Sequence, residues 1–336
     1  MERGEECPVW KTGHSFSFHS GSPKRGGKGA FSMALFGNKP AESAQDKAAR
    51  EARAHISQEQ LERGGLPLDA ERRLNELHRK SGKFFTSNLS VNEFVLAASD
   101  DVTPLGQVMG STIYHVGWQW NPTWLGGEMT VITQAQTHAR MLALSRLQQE
   151  AKLLGAHGVI GVRLIRKSQA WGQNLIEFSA QGTAVALHNE PVPALPFVCA
   201  LSGQDFWTLR RAGYRPVGFA FGMCAYYHIA SYANQWVTQG SGFLGGGYMN
   251  NIELTDYTQA VYTARHSAMY RMNEEASRVA AEGIVGMTIE DEIRTVEVEV
   301  NNQTRRDLFV QFTALGTAIV GKRDRWPSID YALPLL

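Results

Sequence analysis

From Glu128 to Leu154 the chain holds neither proline nor glycine, and Ile132, Ala135, Ala139, Leu142 and Ala143 recur on one helical face. This pattern predicts a helix of about 25 residues, near 40 Å long at the usual rise per residue. Gly155 ends it. Two runs rich in β-branched residues, "GVIGVRLIRKS" and "NLIEFSAQGTAVALH", follow as strands. Upstream, "FVLAAS" at 94–99 reads as a strand, and "GQVMGSTIYHVGW" at 106–118 as a second strand or strand pair broken by glycines. The predicted order is β-β-α-β-β, a small sheet crossed by one long helix.

The pattern is written twice. Gly158 and Gly161 meet Gly283 and Gly286 at an offset of 125 (283 − 158), as do Glu128 and Glu253, Arg140 and Arg265, Arg146 and Arg271, and Glu150 and Glu275. Upstream the offset is 112 (216 − 104), where Pro104, Gly106, Gly110 and Tyr114 meet Pro216, Gly218, Gly222 and Tyr226. Downstream it is 134 (316 − 182), where "FSAQGTAV" meets "FTALGTAI". Three blocks in the same order predict two homologous domains in tandem, 88–190 and 196–322, with "NEPVPALP" at 189–196 as a proline-stiffened linker.

The glycines Gly155, Gly158 and Gly161 resemble a phosphate loop in spacing but not in position. A dinucleotide loop follows a strand and opens a helix, whose positive end faces the phosphate. Here the glycines close a helix and open a strand, at the negative end of the dipole. They and Gly283 and Gly286 are therefore expected to be structural, serving as a helix C-cap and as close helix–strand packing.

Ahead of the repeats, residues 41–87 are expected to form a helical lead. "AERRLNELHRKSG" is predicted as a helix capped by Asp69, with Leu74 and Leu77 as its apolar stripe, docked on the main body or on a neighbour. The stretch "SGSPKRGGKGAFSM" at 20–33 is small, basic and aperiodic, and residues 1–40 are expected to form a disordered tail. Met33 reads as a natural start, so translation is expected to begin there.

Charged residues make up 19% of the chain, below the soluble average, which fits large buried surfaces in cores or between subunits. A net charge of +1 leaves no footprint for nucleic acid. Three scattered cysteines without a CxxC pair argue against a disulfide scaffold or a cysteine-rich zinc site and fit a reducing compartment. With no membrane-spanning run and no secretion signal, the cytoplasm is the expected location.

The segment from "AR" at 139–140 through "LGAHGVIGVR", followed by "EFSAQGTAV", resembles the YbjQ-like family, often labelled a heavy-metal-binding domain. The resemblance covers 90–187 well and 200–321 more loosely. It implies small β-β-α-β-β domains and, from single-domain members, pentameric rings. The chain departs by carrying two copies, a helical lead and tryptophan-rich loops.

The candidate chemistry is sparse. Histidines 115, 138, 157, 188, 228 and 266 are scattered, and none meets a histidine in the other copy, so no resident metal or other cofactor is expected from spacing. The best remaining route to a metal is a ring pore lined by Glu128, Glu253, Glu150 or Glu275. No nucleophile–base pair or G-x-S-x-G motif points to an enzyme. Arg146 and Glu150, like Arg271 and Glu275, stand four apart on one helical face. An ion pair within the helix or between subunits is one reading of them; a ligand-anchoring arginine pair, with Arg140 and Arg265, is the other. Trp118, Trp120 and Trp124 in the first copy and Tyr226, Tyr227 and Trp236 in the second fall in aromatic, glycine-rich connections. They could fold back as a local core, bury against another subunit or protein partner, or touch a membrane, the last disfavoured by the lack of neighbouring basic residues. The sequence thus reads as a non-enzymatic, self-assembling binding or scaffold protein, the alternative being a metal or small-ligand binder at a ring interface.

Overall fold

The computed structural model describes residues 44–79, 85–99, 102–117, 126–168, 175–188, 190–231, 234, 251–300 and 303–321. The expected tail and the start at Met33 lie outside them. The lead supplies α1 (Ala44–Glu62) and α2 (Leu68–Arg79). The first repeat runs α3 (Val91–Ser99), β1 (Val102–His115), β2 (Gly127–Glu128), α4 (Thr130–Leu153), β3 (Gly158–Ser168) and β4 (Leu175–Leu187). The second runs β5 (Phe197–Val198), α5 (Gly203–Arg211), β6 (Tyr214–His228), α6 (Thr255–Arg278), β7 (Gly283–Val300) and β8 (Gln303–Gly321).

The protein is mixed α/β with two sheets, each crossed by one long helix. The sheet orders are β1-β4-β3-β5 and β2-β6-β8-β7. Both exchange a short strand: β5, past the proline linker, joins the first sheet parallel to β3, and β2 joins the second sheet beside β6.

Residues 94–99 are not a strand but the body of α3. The reason is a reciprocal cap at "SVNE": the Glu93 amide donates to Ser90 Oγ at 3.3 Å, and the Ser90 amide donates to Glu93 Oε2 at 2.6 Å. This pairing satisfies free donors of a first turn and starts a helix before the apolar run begins. Asp69 is likewise not a cap. It is a first-turn residue of α2, paired with Arg72 at 2.8 Å.

The long helices differ in what covers them. α6 buries one stripe, Ala260, Ala264, Ala268, Met272 and Ala276, against the second sheet. α4 buries that same stripe at Ala139, Ala143, Leu147 and Ala151 against the first sheet, and also Thr133, Gln136 and Arg140 on a second face. The second face is covered by the far side of the second sheet, where Phe221, Met223, Ala225 and Phe309 pack against Met129 and Ile132. The stacking order is therefore first sheet, α4, second sheet, α6. Leu66 and Leu74 of the lead complete the core beside α4. Burying a side chain such as Leu74 contributes about 1.5–3 kcal/mol.

At the ends of the two helices the repeats diverge. Gly155 takes φ +69°, a left-handed cap that suits glycine; Ala280, its counterpart in the second repeat, takes φ +52°. The Cβ of an L residue is strained there. Ala280→Gly is expected to raise the unfolding free energy by about 1 kcal/mol, read from urea denaturation, because relief of strain outweighs the added freedom of the unfolded chain.

Candidate functional site

Arg146 and Glu150, like Arg271 and Glu275, fasten their helix to the backbone of β1 or β6 in its own sheet. Past the bulge at Pro104/Gly106, the odd-numbered residues of β1 point their backbone groups away from β4. Met109 N–H donates to Glu150 Oε2 at 2.8 Å, and Arg146 Nη1 donates to the Ser111 carbonyl at 2.7 Å. The second repeat does the same: Phe221 N–H donates to Glu275 Oε2 at 2.9 Å, and Arg271 Nη1 donates to the Met223 carbonyl at 2.7 Å. Arg146 and Glu150 are thus aimed at β1 rather than at each other.

The remaining valences distinguish the copies. Arg73 of the lead holds Glu150 at 3.1 Å, and Arg146 also donates to the Leu61 and Gly65 carbonyls of the lead. Arg271 instead reaches Glu128 of the first repeat at 2.7 Å, an ion pair across the repeats.

Burial pushes the Glu150 and Glu275 carboxyls up from the ordinary 4.5; the backbone amides and the arginines near them pull only partly back. A carboxyl raised in the folded state keeps a proton that the unfolded chain has released. These two sites therefore add stability as pH falls from neutrality toward 4.5, with no further change below it. The Glu150→Gln, Glu275→Gln double variant is expected to lose that share of the pH dependence in urea titrations at stepped pH.

Between the repeats lies a second, polar-laced contact. The Arg140 guanidinium, 3% exposed, sits 3.2 Å from the Phe221 ring centroid and 5.3 Å from that of Phe178, so it is held between one ring of each repeat. Its Nε and Nη1 make no hydrogen bond among the described residues, and burial holds the group well below its usual range. Around it, Gln136 Nε2 donates to Gln311 Oε1 at 2.7 Å. The Ala225 amide donates to Thr133 Oγ1 at 3.0 Å, the Met129 amide donates to the Ala225 carbonyl at 2.8 Å, and Glu128 pairs with Tyr226. Glu253 and Arg265, the counterparts of Glu128 and Arg140, are exposed.

Trp118, Trp120, Trp124 and Trp236 lie outside the described residues. Tyr226 and Tyr227 are not loop residues, because β6 extends to His228. Tyr226 packs on the second core, and Tyr227 is buried with its hydroxyl donating to Asp307 Oδ2 at 2.6 Å. Alternation along β6 sends their rings to opposite faces, a signal hidden in the aromatic run. Gly161 and Gly286 sit at the register shifts of β3 and β7; Gly158 and Gly283 open those strands. The glycines that sequence spacing undervalued are Gly110 and Gly222. A Cβ on Gly222 would stand 2.6 Å from the Met272 amide nitrogen and closer still to the Ala268 carbonyl, and Gly110 meets Leu147 and Ala143 in the same way. Among the described residues, no three His, Cys, Asp or Glu side chains are grouped to hold a metal ion. Also among them, no helix is long and apolar enough to cross a membrane.

A family model for YbjQ_1, described as "Putative heavy-metal-binding", matches residues 102–188 and 245–322. The "Encapsulin nanocompartment protein Rv1762c" of Mycobacterium tuberculosis is 37% identical over 242 residues, 70% of this chain and 86% of that protein. The chain belongs to the YbjQ family. Two further YbjQ-type relatives are shorter matches, both named UPF0145 proteins. The one from Clostridium perfringens is 46% identical over 61 residues, 18% of this chain and 56% of its own length. The one from Clostridioides difficile is 38% identical over 91 residues, 26% of this chain and 80% of its own length. No solved structure matches the chain. The second match starts beyond β6, yet the sheet pairing shows that β6 is the counterpart of β1: both lie antiparallel to the final strand of their repeat. The second YbjQ repeat is therefore complete in the fold, although its first strand is remote from the rest in sequence.

Proposed function

We propose that this two-repeat YbjQ protein is a non-enzymatic, self-assembling scaffold of the cytoplasm. The observation that carries this reading is the repeat-to-repeat contact: the far face of the second sheet is apolar and finds its cover in the helix of another repeat. A YbjQ repeat is thus a unit that docks on its own kind. The printed name of the Mycobacterium tuberculosis relative, an encapsulin nanocompartment protein, supports the same direction. The repeated glutamates and arginines lend little to the alternative of a bound metal or small ligand, because Glu150, Glu275, Arg146 and Arg271 already bond to strand backbone.

Native mass spectrometry of protein purified without chelator or affinity metal tests the proposal. A discrete oligomer with no added mass is the expected result. A monomer at micromolar concentration would overturn self-assembly, and a stoichiometric metal or small molecule would favour the ligand-binding alternative.

A further inference from the structure

The internal contact between repeats uses one helix face and one sheet face, and each has a counterpart left open. On the sheet side, Phe221 and Ala225 are 3% and 0% exposed beneath α4; Met109 and Ile113, their counterparts on the first sheet, are 50% and 58% exposed. On the helix side, Arg140 is buried between aromatic rings, whereas Arg265 stands in solvent beside Tyr262, itself 59% exposed. The strand edge repeats the contrast. The outward amide and carbonyl of Ala225 are bonded by Thr133 and Met129. Those of Ile113 face the same way by alternation along β1, and no such bond is made to them among the described residues.

We propose that a second copy of this chain supplies the cover: the outer face of the first sheet in one copy seats on α6 of the next, repeating the internal contact head to tail. The inference rests on the self-assembly reading above and specifies its surface. Two observations select this occupant. The two open faces are the homologues of two faces that already fit each other within the chain. The strand edge at Ile113 continues the seam, offering the same donor and acceptor that Thr133 and Met129 satisfy inside the chain. One element differs. The lead carbonyls of Leu61 and Gly65 occupy Arg146, where Arg271 holds Glu128, so the seam between copies has one ion pair fewer than the internal one.

A contact of this kind is heterologous: it joins two different patches and grows by rotation into a ring or filament. The test is thiol cross-linking by a short bis-maleimide in a Cys7→Ser background, in which Cys199 and Cys224 are buried. Met109→Cys and Arg265→Cys are made as separate full-length chains and co-expressed with distinguishable tags. The expected result is a covalent dimer carrying both tags, with no dimer when either variant is expressed alone. Dimers from a single variant alone would indicate a two-fold contact and overturn the proposal. Oligomers of normal mass without the mixed cross-link would overturn this seam and leave self-assembly standing. Monomers at every concentration, for the unsubstituted chain as well, would remove both. Ile113→Glu provides a second reading free of cross-linker chemistry: it is expected to lower the oligomer mass while leaving the circular dichroism spectrum unchanged. An undiminished oligomer would count against the seam.

Discussion

Asp307→Ala is expected to lower the unfolding free energy by about 3–5 kcal/mol, the largest effect of any single substitution considered, because it breaks a buried ion pair from one side. Asp307 is fully buried on β8. Its carboxylate accepts from Arg305 Nε and Nη2 at 2.7 Å, from the Tyr227 hydroxyl at 2.6 Å and from the Ala230 amide at 3.0 Å. It thereby ties the end of β6 to the start of β8. Alanine would leave a mostly buried guanidinium, a phenol and an amide without that acceptor, each desolvated. Asp307→Asn keeps one acceptor oxygen and the shape of the site, so its loss should be clearly smaller. Urea denaturation of both variants checks the order; an alanine variant within about 1 kcal/mol of the parent would show that water replaces the carboxylate.

Gly222→Ala comes next and should cost about 3 kcal/mol, at the upper end of the range for overpacking, since no side chain can rotate away. The obstacle is the backbone of α6, namely the Ala268 carbonyl and the Met272 amide, and α6 is held at that height by its alanine stripe. Gly110→Ala meets the same barrier at Ala143 and Leu147 and should behave alike. Gly218→Ala is the control on the same strand: the nearest atoms to its added methyl are Val279 side-chain carbons at 3.8 and 4.0 Å. Thermal melts of the three variants should separate Gly110 and Gly222 from Gly218 by several degrees. Equal melting temperatures would mean that the helix can shift outward at little cost.

Much of this architecture was legible in the residues. The helix predicted over 128–154 is α4, Thr130–Leu153, because an unbroken run of good helix formers with an alanine stripe has no competing pattern. The offsets between repeats were legible too, since they depend on identity alone. What escaped was whatever depends on the partner of a surface. Arg140 and Arg265 are the same residue at matching positions, yet one is buried between two rings and the other is solvated. Nothing in the local text of either helix encodes which one another sheet will cover. The short strands β2 and β5 escaped for the same reason: two residues carry no period, and each joins the sheet of the other repeat. Segment 94–99 departs from the expected strand for a different reason. Its apolar run is ambiguous between strand and helix, and the deciding signal, Ser90 and Glu93, stands just ahead of it.

The fusion of two repeats, with the sheet of the second seated on the helix of the first, also constrains arithmetic. Each chain contributes its repeats in pairs, so a closed ring made of whole chains contains an even number of them. A five-membered ring, the form implied by resemblance to single-repeat members, would strand half a chain outside the circle. Three chains would give six positions and five chains ten, with two kinds of joint in alternation. One joint is covalently tethered and forms at the high local concentration that tethering provides; the other forms only when chains meet. An assembly of this design has its concentration threshold set by half of its joints, and all of its bounded sizes are multiples of two repeats.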